Sequence, residues 1–278
     1  MTLWEVCARR RSGGIYTHIA FADFKAAFDM VHLEVLRAAL HAHRVPRLFS
    51  DLIINLYSFQ RALLRPRNPD DEASEYFPAT GVRQGCCLAP LLFSVVIDML
   101  SWELESKLRQ NQLLGVSVPA VQRTGFCDRF IQLLYADDLV MVGHDQAALQ
   151  LSVSHMEAWS SAWGFSPSSS KSKVMSIIPL HGVRPPARID FLQGPLEQVS
   201  TFKYLGVNFT SDLSFTQEQA ARRRLLHLLY TKLDSLYRNN AWTVKSRTMA
   251  YLSLTESTVC MELLSGQQTF FLFQNSIP

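Results

Sequence analysis

Two apolar segments flank a pair of acids in residues 131–142, which read IQLLYADDLVMV. Asp adopts turn geometry readily, so this run is predicted to form two short strands joined by a turn at Ala136, Asp137 and Asp138. Two carboxylates about 4 Å apart repel each other by about 4 kcal/mol at an effective dielectric of about 20. Positive charge is therefore expected beside this turn, although an Asp-Asp pair taken alone more often only caps a turn.

A third acid stands at the end of another predicted strand. Between residues 15 and 23, every second residue is a β-former or the final acid: Ile15, Thr17, Ile19, Phe21 and Asp23. Three carboxylates that converge from two strands would suit Mg²⁺, which prefers hard oxygen ligands. Such a centre is typical of nucleotidyl transfer, in which one metal activates a hydroxyl and the other neutralises the leaving pyrophosphate.

The rest of the chain alternates helical and extended patterns, which predicts an α+β fold. Further strands are expected at residues 59–67, 74–80 and 202–209. Helices are expected at residues 32–43, at 48–56, from 88 to about 100 and from 216 to about 264. A further helix is expected to end at Gly164.

Composition bounds the possible classes of protein. The chain has 278 residues, 48% of them hydrophobic, which is enough for a buried core. No apolar run is long enough for a membrane span and no signal-peptide pattern begins the chain, so an intracellular protein is expected. The five cysteines lack C-x-x-C spacing and are predicted to be free thiols. A net charge of +3 does not by itself indicate nucleic-acid binding.

Three motifs resemble those of one enzyme family. The stretch Ala22–Asp29 resembles the first catalytic motif of non-LTR, LINE-like retrotransposon reverse transcriptases, and Tyr135–Asp138 resembles their second acid motif. Between them, Gly81–Phe93 is similar to the loop that holds template and nucleotide, followed by the palm helix. The three motifs stand in the order of the family.

Two further stretches carry a weaker resemblance. Gly164 and Phe165, followed by Lys171–Met175, are similar to the next motif of the family, and Phe202–Val207 resembles its primer-grip hairpin. The resemblance implies that the primer end is held by Tyr204, Leu205 and Gly206. It also implies a residual upstream segment at 1–14, a palm with a short fingers hairpin at 15–215, and the start of a helical thumb with an irregular tail at 216–278.

The resemblance implies an RNA-directed DNA polymerase with a right-hand palm, which extends a DNA primer on an RNA template with dNTPs. Its cofactors would be two Mg²⁺ ions, or Mn²⁺ in their place. The metals would lie at Asp23, Asp137 and Asp138, with the backbone carbonyl of Phe24 as a further ligand.

Nucleotide contacts follow from the same resemblance. Phe28 would close the space beneath the sugar and clash with a 2′-hydroxyl, so that deoxynucleotides are preferred. Gln84 and Gly85 would lie where the templating base meets the nucleotide, with Gly leaving room for close backbone approach. Lys171 would stabilise the leaving pyrophosphate. The arginines at 9–11, at 61, 65 and 67, and at 222–224 are candidate phosphate contacts.

Several positions depart from the family pattern. Ala89 stands where Ser is usual, Cys87 where Pro is common, and Pro167-Ser168 where an apolar residue and Asn are expected. Only about twenty residues precede Asp23, so most of the fingers is expected to be missing and the chain to extend a primer poorly.

Two alternatives stay open. The first is an RNA-dependent RNA polymerase palm, although such enzymes usually carry Gly where this chain has Ala136 and a polar sugar contact where it has Phe28. The second is a catalytically silent retroelement remnant, or a module that only binds RNA.

Overall fold

The structure is a computed structural model that describes residues 3–64, 74–78, 80–83, 85–111, 114–117, 129–179, 182, 187–192, 194–237, 243–249 and 253. It divides into two compact units, Met1–Thr201 and Phe202–Pro278. Gln84, Cys127, Cys260, the turn expected at 68–72 and the apolar tail lie outside the described residues.

The first unit contains five helices and eleven short strands among its described residues. The helices are α1 Leu3–Ser12, α2 Leu33–Ala42, α3 Arg47–Ser58, α4 Ala89–Gln110 and α5 Gln146–Trp163. The strands are β1 Thr17–Ala22, β2 Ala62–Leu64, β3 Ser74–Tyr76, β4 Val116–Ser117, β5 Arg129–Phe130, β6 Gln132–Tyr135, β7 Asp138–Gly143, β8 Lys173–Ile177, β9 Asp190–Phe191, β10 Gly194–Pro195 and β11 Glu197–Gln198. This mixture confirms the predicted α+β class.

A five-stranded sheet with the order β11-β8-β1-β7-β6 lies at the centre of this unit. The pairs from β8 to β6 are antiparallel, and only the edge strand β11 runs parallel to its neighbour. The strand expected before Asp23 and the hairpin expected around the two acids are therefore both confirmed, and they are adjacent in the sheet.

The two faces of β1 and β7 carry different residues. Ala20 and Ala22, with their partners Met141 and Leu139, belong to a core shared with α4 and α5. Side chains alternate along a strand, so the other series, Ile19 and Phe21 with their partners Val142 and Val140, points to the opposite face. Asp23 is next in that second series.

Helix α5 has a defined residue at each end. The side chain of Asp145 accepts a hydrogen bond from the backbone N–H of Ala148 at 2.7 Å and so caps the first turn. Gly164 ends the helix with φ 78°, a left-handed conformation that Gly adopts without strain. The helix end expected at Gly164 is confirmed.

Replacement of Asp145 by Ala is expected to lower the free energy of unfolding by about 1 kcal/mol, because the Ala148 amide loses its acceptor. Asp145→Ser is the matched control, since a hydroxyl at this position retains an acceptor. Urea denaturation of the three proteins measures the effect. Equal midpoints for Asp145→Ala and the unchanged chain would show that the cap contributes nothing.

Helix α1 was expected only as a residual segment, yet it packs on β1 through a buried arginine. Arg10 is 1% exposed and donates to Thr17 Oγ1 at 2.8 Å, to the Tyr16 carbonyl at 2.8 Å and to the Ser117 carbonyl at 2.6 Å. A buried guanidinium needs such acceptors. The expectation that residues 9–11 contact phosphate is therefore wrong for Arg10.

The second unit begins with a hairpin of β12 Thr201–Tyr204, which starts at the boundary, and β13 Val207–Thr210. Both central residues of its turn have positive φ, Leu205 at 47° and Gly206 at 81°, the φ pattern of a type I′ turn. Helix α6, Thr216–Tyr237, confirms the first part of the predicted helical tail. None of the helices that the structure describes could cross a membrane.

Candidate metal and nucleotide site

The two adjacent acids lie at a tight turn between β6 and β7. Tyr135 pairs with Asp138, so the turn contains only Ala136 and Asp137. Ala136 has φ 53° and Asp137 does not have a positive φ, which matches the φ pattern of a type II′ turn. The sequence analysis had placed Asp138 in the turn. It is instead the first residue of β7.

Asp23 follows β1 directly beside this turn. Ala22 is the register partner of Leu139, so the next residues along each strand, Asp23 and Asp138, are opposite each other. Opposite residues of an antiparallel pair project to the same face. Both carboxylates therefore lie on the face away from the core that α4 and α5 share.

The three acids affect one another electrostatically. Burial raises the pKa of Asp138 above its usual range, and the charges of Asp137 and then of Asp23 raise it further. A neighbouring negative charge disfavours ionisation, so Asp137 and Asp23 each make the charged form of Asp138 less favourable. The cluster would be stabilised by added positive charge.

One positive side chain already lies at the cluster. Lys171 Nζ is 3.2 Å from Asp23 Oδ2, and the lysine side chain is 67% exposed. The Asp23 oxygen is buried and the contact is an ion pair without the alignment of a hydrogen bond. A positive charge is therefore present at Asp23, and it belongs to Lys171, the lysine that the family resemblance assigned to the triphosphate.

Backbone hydrogen bonds hold the segment before Lys171 against Asp23. The amide of Lys25 donates to the Ser166 carbonyl at 2.9 Å, and the amide of Ser168 donates to the Asp23 carbonyl at 2.7 Å. The Asp23 amide also donates to Ser172 Oγ at 3.2 Å. The bonds of Ser166 and Ser168 use only backbone groups, so they do not depend on the side chains of Pro167 and Ser168.

Phe24 lies between Asp23 and Lys25, the two residues whose backbones bond to the segment 166–168. Its ring is buried and lies edge-on to Phe165 at a centroid distance of 5.8 Å, and its backbone forms an isolated bridge with Pro167. The hydrogen bonds of the bridge involve Asp23 and Lys25, not the Phe24 carbonyl. That carbonyl is therefore not used by the bridge.

The side-chain oxygens of Asp23, Asp137 and Asp138 suit a hard divalent ion, because all of them are carboxylate oxygens. One of them, Asp23 Oδ2, is buried and has no hydrogen-bond partner. The residues that the structure describes contain no group of three His, Cys, Asp or Glu side chains already arranged around a metal position. Asp23 instead pairs with Lys171. The assignment of metals to these acids stays a prediction.

Phe28 lies half-buried on the same loop, against α4. Its ring stacks on the fully buried Phe93 with a centroid distance of 4.5 Å and an interplanar angle of 16°. The Phe28 carbonyl accepts from the Val82 amide at 2.9 Å, which ties it to the segment before Gln84. One face of the ring is therefore fixed by packing.

Two glycines flank that segment in different ways. Gly81 has φ 97°, and an added Cβ would lie 3.0 Å from the Asp29 Cα, so close backbone approach occurs here. Gly85 has φ 82° but faces open space. The room for a nucleotide that the resemblance implies at Gly85 stays a prediction, and the close backbone contact at Gly81 is one that sequence reasoning had not singled out.

The remaining candidate residues belong to the second unit. Tyr204 is half-buried at the end of β12, and Leu205 and Gly206 are exposed at the hairpin turn. The hairpin therefore presents its turn to solvent. The assignment of Tyr204, Leu205 and Gly206 stays a prediction.

Comparison with known proteins identifies related sequences. The family model described as "Reverse transcriptase (RNA-dependent DNA polymerase)" matches residues 5–209. The Pol polyprotein of the retrotransposable element R2 from Nasonia vitripennis is 28% identical over 216 residues, which are 73% of this chain and 19% of the relative. The Drosophila melanogaster R2DM polyprotein is 27% identical over 70% of this chain and 18% of its own length. The chain thus spans about a fifth of these relatives.

Solved structures show a similar fold. Apo telomerase from Candida tropicalis superposes with a TM-score of 0.54 over 94% of this chain and 44% of the telomerase chain, at 11% identity. Telomerase from Candida albicans, solved with a fragment of telomeric RNA, gives a TM-score of 0.51 over 76% of this chain and 33% of the telomerase, at 13% identity. At such identities the likeness concerns the fold alone, and it confirms the predicted polymerase-palm fold class.

Proposed function

The chain belongs to the reverse transcriptase (RNA-dependent DNA polymerase) family, and from that premise we propose that it extends the 3′-hydroxyl of a DNA primer with dNTPs on an RNA template. One observation carries the proposal: Asp23 and Asp138 stand opposite each other at one end of the sheet, with Asp137 in the adjoining turn. Nucleotidyl transfer requires such a group of carboxylates on a rigid support.

Members of this family use divalent metal ions, and in this chain Asp23, Asp137, Asp138 and the Phe24 carbonyl would hold two Mg²⁺ ions, or Mn²⁺. Bound there, the ions would lower the barrier to attack by the 3′-hydroxyl and offset the charge of the leaving pyrophosphate. The raised pKa of Asp138 supports this assignment, because burial and the charges of Asp137 and Asp23 disfavour its negative form and a bound cation would offset them.

Lys171 has a proposed role in the same reaction. Its ammonium pairs with Asp23, and the side chain is exposed enough to turn toward a triphosphate. A cation at that position stabilises the negative charge that develops on the departing pyrophosphate, and it can supply a proton. The hydrogen bonds of Ser168 and Ser172 to the backbone of Asp23 position the loop that carries it.

Phe28 and the loop at residues 81–85 are proposed to form the nucleotide pocket. The stack on Phe93 holds the Phe28 ring, so that it can close the space beneath the sugar. Gln84 and Gly85 would contact the templating base and the nucleotide, and the positive φ of Gly85 suits Gly. We propose further that Tyr204, Leu205 and Gly206 hold the primer end.

A panel of templates and nucleotides tests the proposal. A labelled DNA primer is annealed to RNA or DNA of the same sequence and incubated with excess chain, Mg²⁺, and either dNTPs or rNTPs. We expect extension that is fastest with RNA and dNTPs and is abolished by EDTA. Faster extension with rNTPs would indicate an RNA-dependent RNA polymerase. Binding of the duplex without any extension would indicate a silent remnant or an RNA-binding module.

A further inference from the structure

Helix α3 has an apolar face on each of two sides. Ile54 and Tyr57 are buried and belong to the core of the first unit. On the opposite side, five large apolar side chains are exposed to solvent: Leu48, Phe49, Leu52, Leu56 and the C-cap Phe59. A helix that is apolar all round is normally buried all round. The exposed side of α3 therefore has the composition of an interface.

The five exposed side chains form one stripe, which we call the α3 stripe. Residues four apart lie above one another on a helix, so Leu48, Leu52 and Leu56 form its central row. Phe49 lies beside the start of this row, and Phe59 extends it beyond the last turn. The exposed fractions run from 50% for Leu56 to 83% for Phe59, so the rest of the chain leaves each residue at least half uncovered.

The α3 stripe is large enough for a stable contact between two copies of the chain. At about 100 Å² for each large side chain it exposes roughly 500 Å² of apolar surface, the size at which a patch on a monomer often has a function. The following hairpin carries two more exposed aromatic residues, Tyr76 and Phe77, and Tyr76 pairs with Ala62, three residues after Phe59. Two copies together would bury more than about 1,000 Å², which is the area that a specific interface needs.

A polar row borders the α3 stripe along one side. Its members follow one another at intervals of four, four and three residues: Arg47, Asp51, Asn55 and Ser58. Both charged members lie in the N-terminal half of the helix. Asp51 pairs there with Arg47 at 3.5 Å and with Arg37 of α2 at 3.2 Å. The two arginines share a carboxylate of their own chain, so the border is close to neutral and does not favour a strongly charged partner.

The α3 stripe is complementary to itself in an antiparallel arrangement. A two-fold axis that passes between Leu52 and Leu56 places Leu52 against Leu56 of the partner subunit, and it places Leu48 against Phe59 of the partner subunit. The leucine row of one helix can then pack into the grooves of the other. The same patch thus supplies both sides of the contact, as a two-fold interface requires.

The polar row fits the same axis. Asp51 is placed beside Asn55 of the partner subunit and Arg47 beside Ser58 of the partner subunit, so each charged side chain meets an uncharged one. The two helix dipoles then run in opposite directions, which is the favourable orientation. A parallel arrangement would instead bring the two charged ends together. The charge pattern therefore favours a second copy in the antiparallel orientation.

We propose that the α3 stripe is the interface of a two-fold symmetric dimer of this chain, in which the two α3 helices pack antiparallel. Leu52 and Leu56 lie at the centre of the interface, where water is excluded and a substitution weakens binding most. The dimer does not depend on the metal and nucleotide site, so it and the proposed polymerase activity can fail separately.

Sedimentation velocity of the full chain between about 1 and 100 μM tests the proposal. We expect the unchanged chain, of 31.5 kDa, to reach twice this mass as its concentration rises. Leu52→Lys places an ammonium against apolar side chains and should raise the dissociation constant of the dimer at least about 30-fold. Leu192→Lys is the matched control and should leave it unchanged, because Leu192 is equally exposed but follows β9. Far-UV circular dichroism checks that each variant is folded.

A mixture of two variants tests the orientation. In an antiparallel pair, the lysine of a Leu52→Lys chain faces the glutamate of a Leu56→Glu chain, so the mixed dimer should form roughly tenfold more tightly than either variant with itself. A mixed dimer no tighter than these would overturn the antiparallel pairing. A chain that stays monomeric at every concentration, or a dimer that Leu52→Lys and Leu192→Lys affect equally, would overturn the assignment of the α3 stripe.

Discussion

Replacement of Asp137 by Asn is expected to reduce the rate of primer extension by about three orders of magnitude, and Asp23→Asn should have an effect of the same size. An amide keeps the shape of the side chain but lacks the charge that holds a divalent ion. Loss of about 4 kcal/mol of stabilisation of the developing charge corresponds to roughly a thousandfold in rate.

Single-nucleotide addition with excess chain over labelled primer measures these ratios. Asp190→Asn is the matched control, since Asp190 is an exposed acid on β9 that pairs only with Arg188 at 3.3 Å among the ion pairs observed. It should extend at the rate of the unchanged chain. If Asp137→Asn and Asp190→Asn extend at the same rate, the acids at the turn do not take part in the reaction.

Replacement of Phe28 by Val is expected to raise the use of rNTPs relative to dNTPs roughly tenfold or more, because the smaller side chain no longer clashes with a 2′-hydroxyl. The change also removes the stack on Phe93, which contributes about 1 kcal/mol, so some loss of stability is expected. The measurement is the ratio of kcat/KM for a matched rNTP and dNTP.

Phe93→Leu is the control for that experiment. Phe93 is fully buried, so it cannot contact a nucleotide, and its replacement removes the same stack. We expect this variant to keep the preference for dNTPs, because the Phe28 ring is still present and the Leu side chain still packs against it. An unchanged preference in Phe28→Val would assign Phe28 to the core alone.

The sequence predicts the parts of the fold that have a regular hydrophobic period. β1 and the β6–β7 hairpin follow from alternation and from an apolar run divided by acids, and α4 follows from its helical spacing. The pairing of Asp23 with Asp138 could not be predicted, because a register depends on partners that are distant in sequence. The position of Asp138 at the start of β7 likewise depends on a register, that of Tyr135 with Asp138 in the β6–β7 hairpin.

Among the elements that were not predicted, α1 and β8 were missed for identifiable reasons. The buried face of α1 includes Arg10, and a charged residue at a core position hides the helical pattern of a ten-residue segment. β8, Lys173–Ile177, is short and buried almost throughout, so it shows no alternation. The contact of residues 166–168 with Asp23 uses backbone groups, which leave no signal in side-chain identity.

If Asp23 and the turn at Asp137 hold the same metal ions, iron bound there should cut the chain beside both of them. Fe²⁺ takes the place of Mg²⁺, and ascorbate with hydrogen peroxide then produces hydroxyl radicals that cut the backbone beside the bound iron. We predict cuts at two segments, around Asp23 and around Asp137, which excess Mg²⁺ suppresses and which both disappear in Asp137→Asn. Cuts at only one of these segments, cuts elsewhere, or cuts that persist in the variant would show that Asp23 and Asp137 do not hold the same ions.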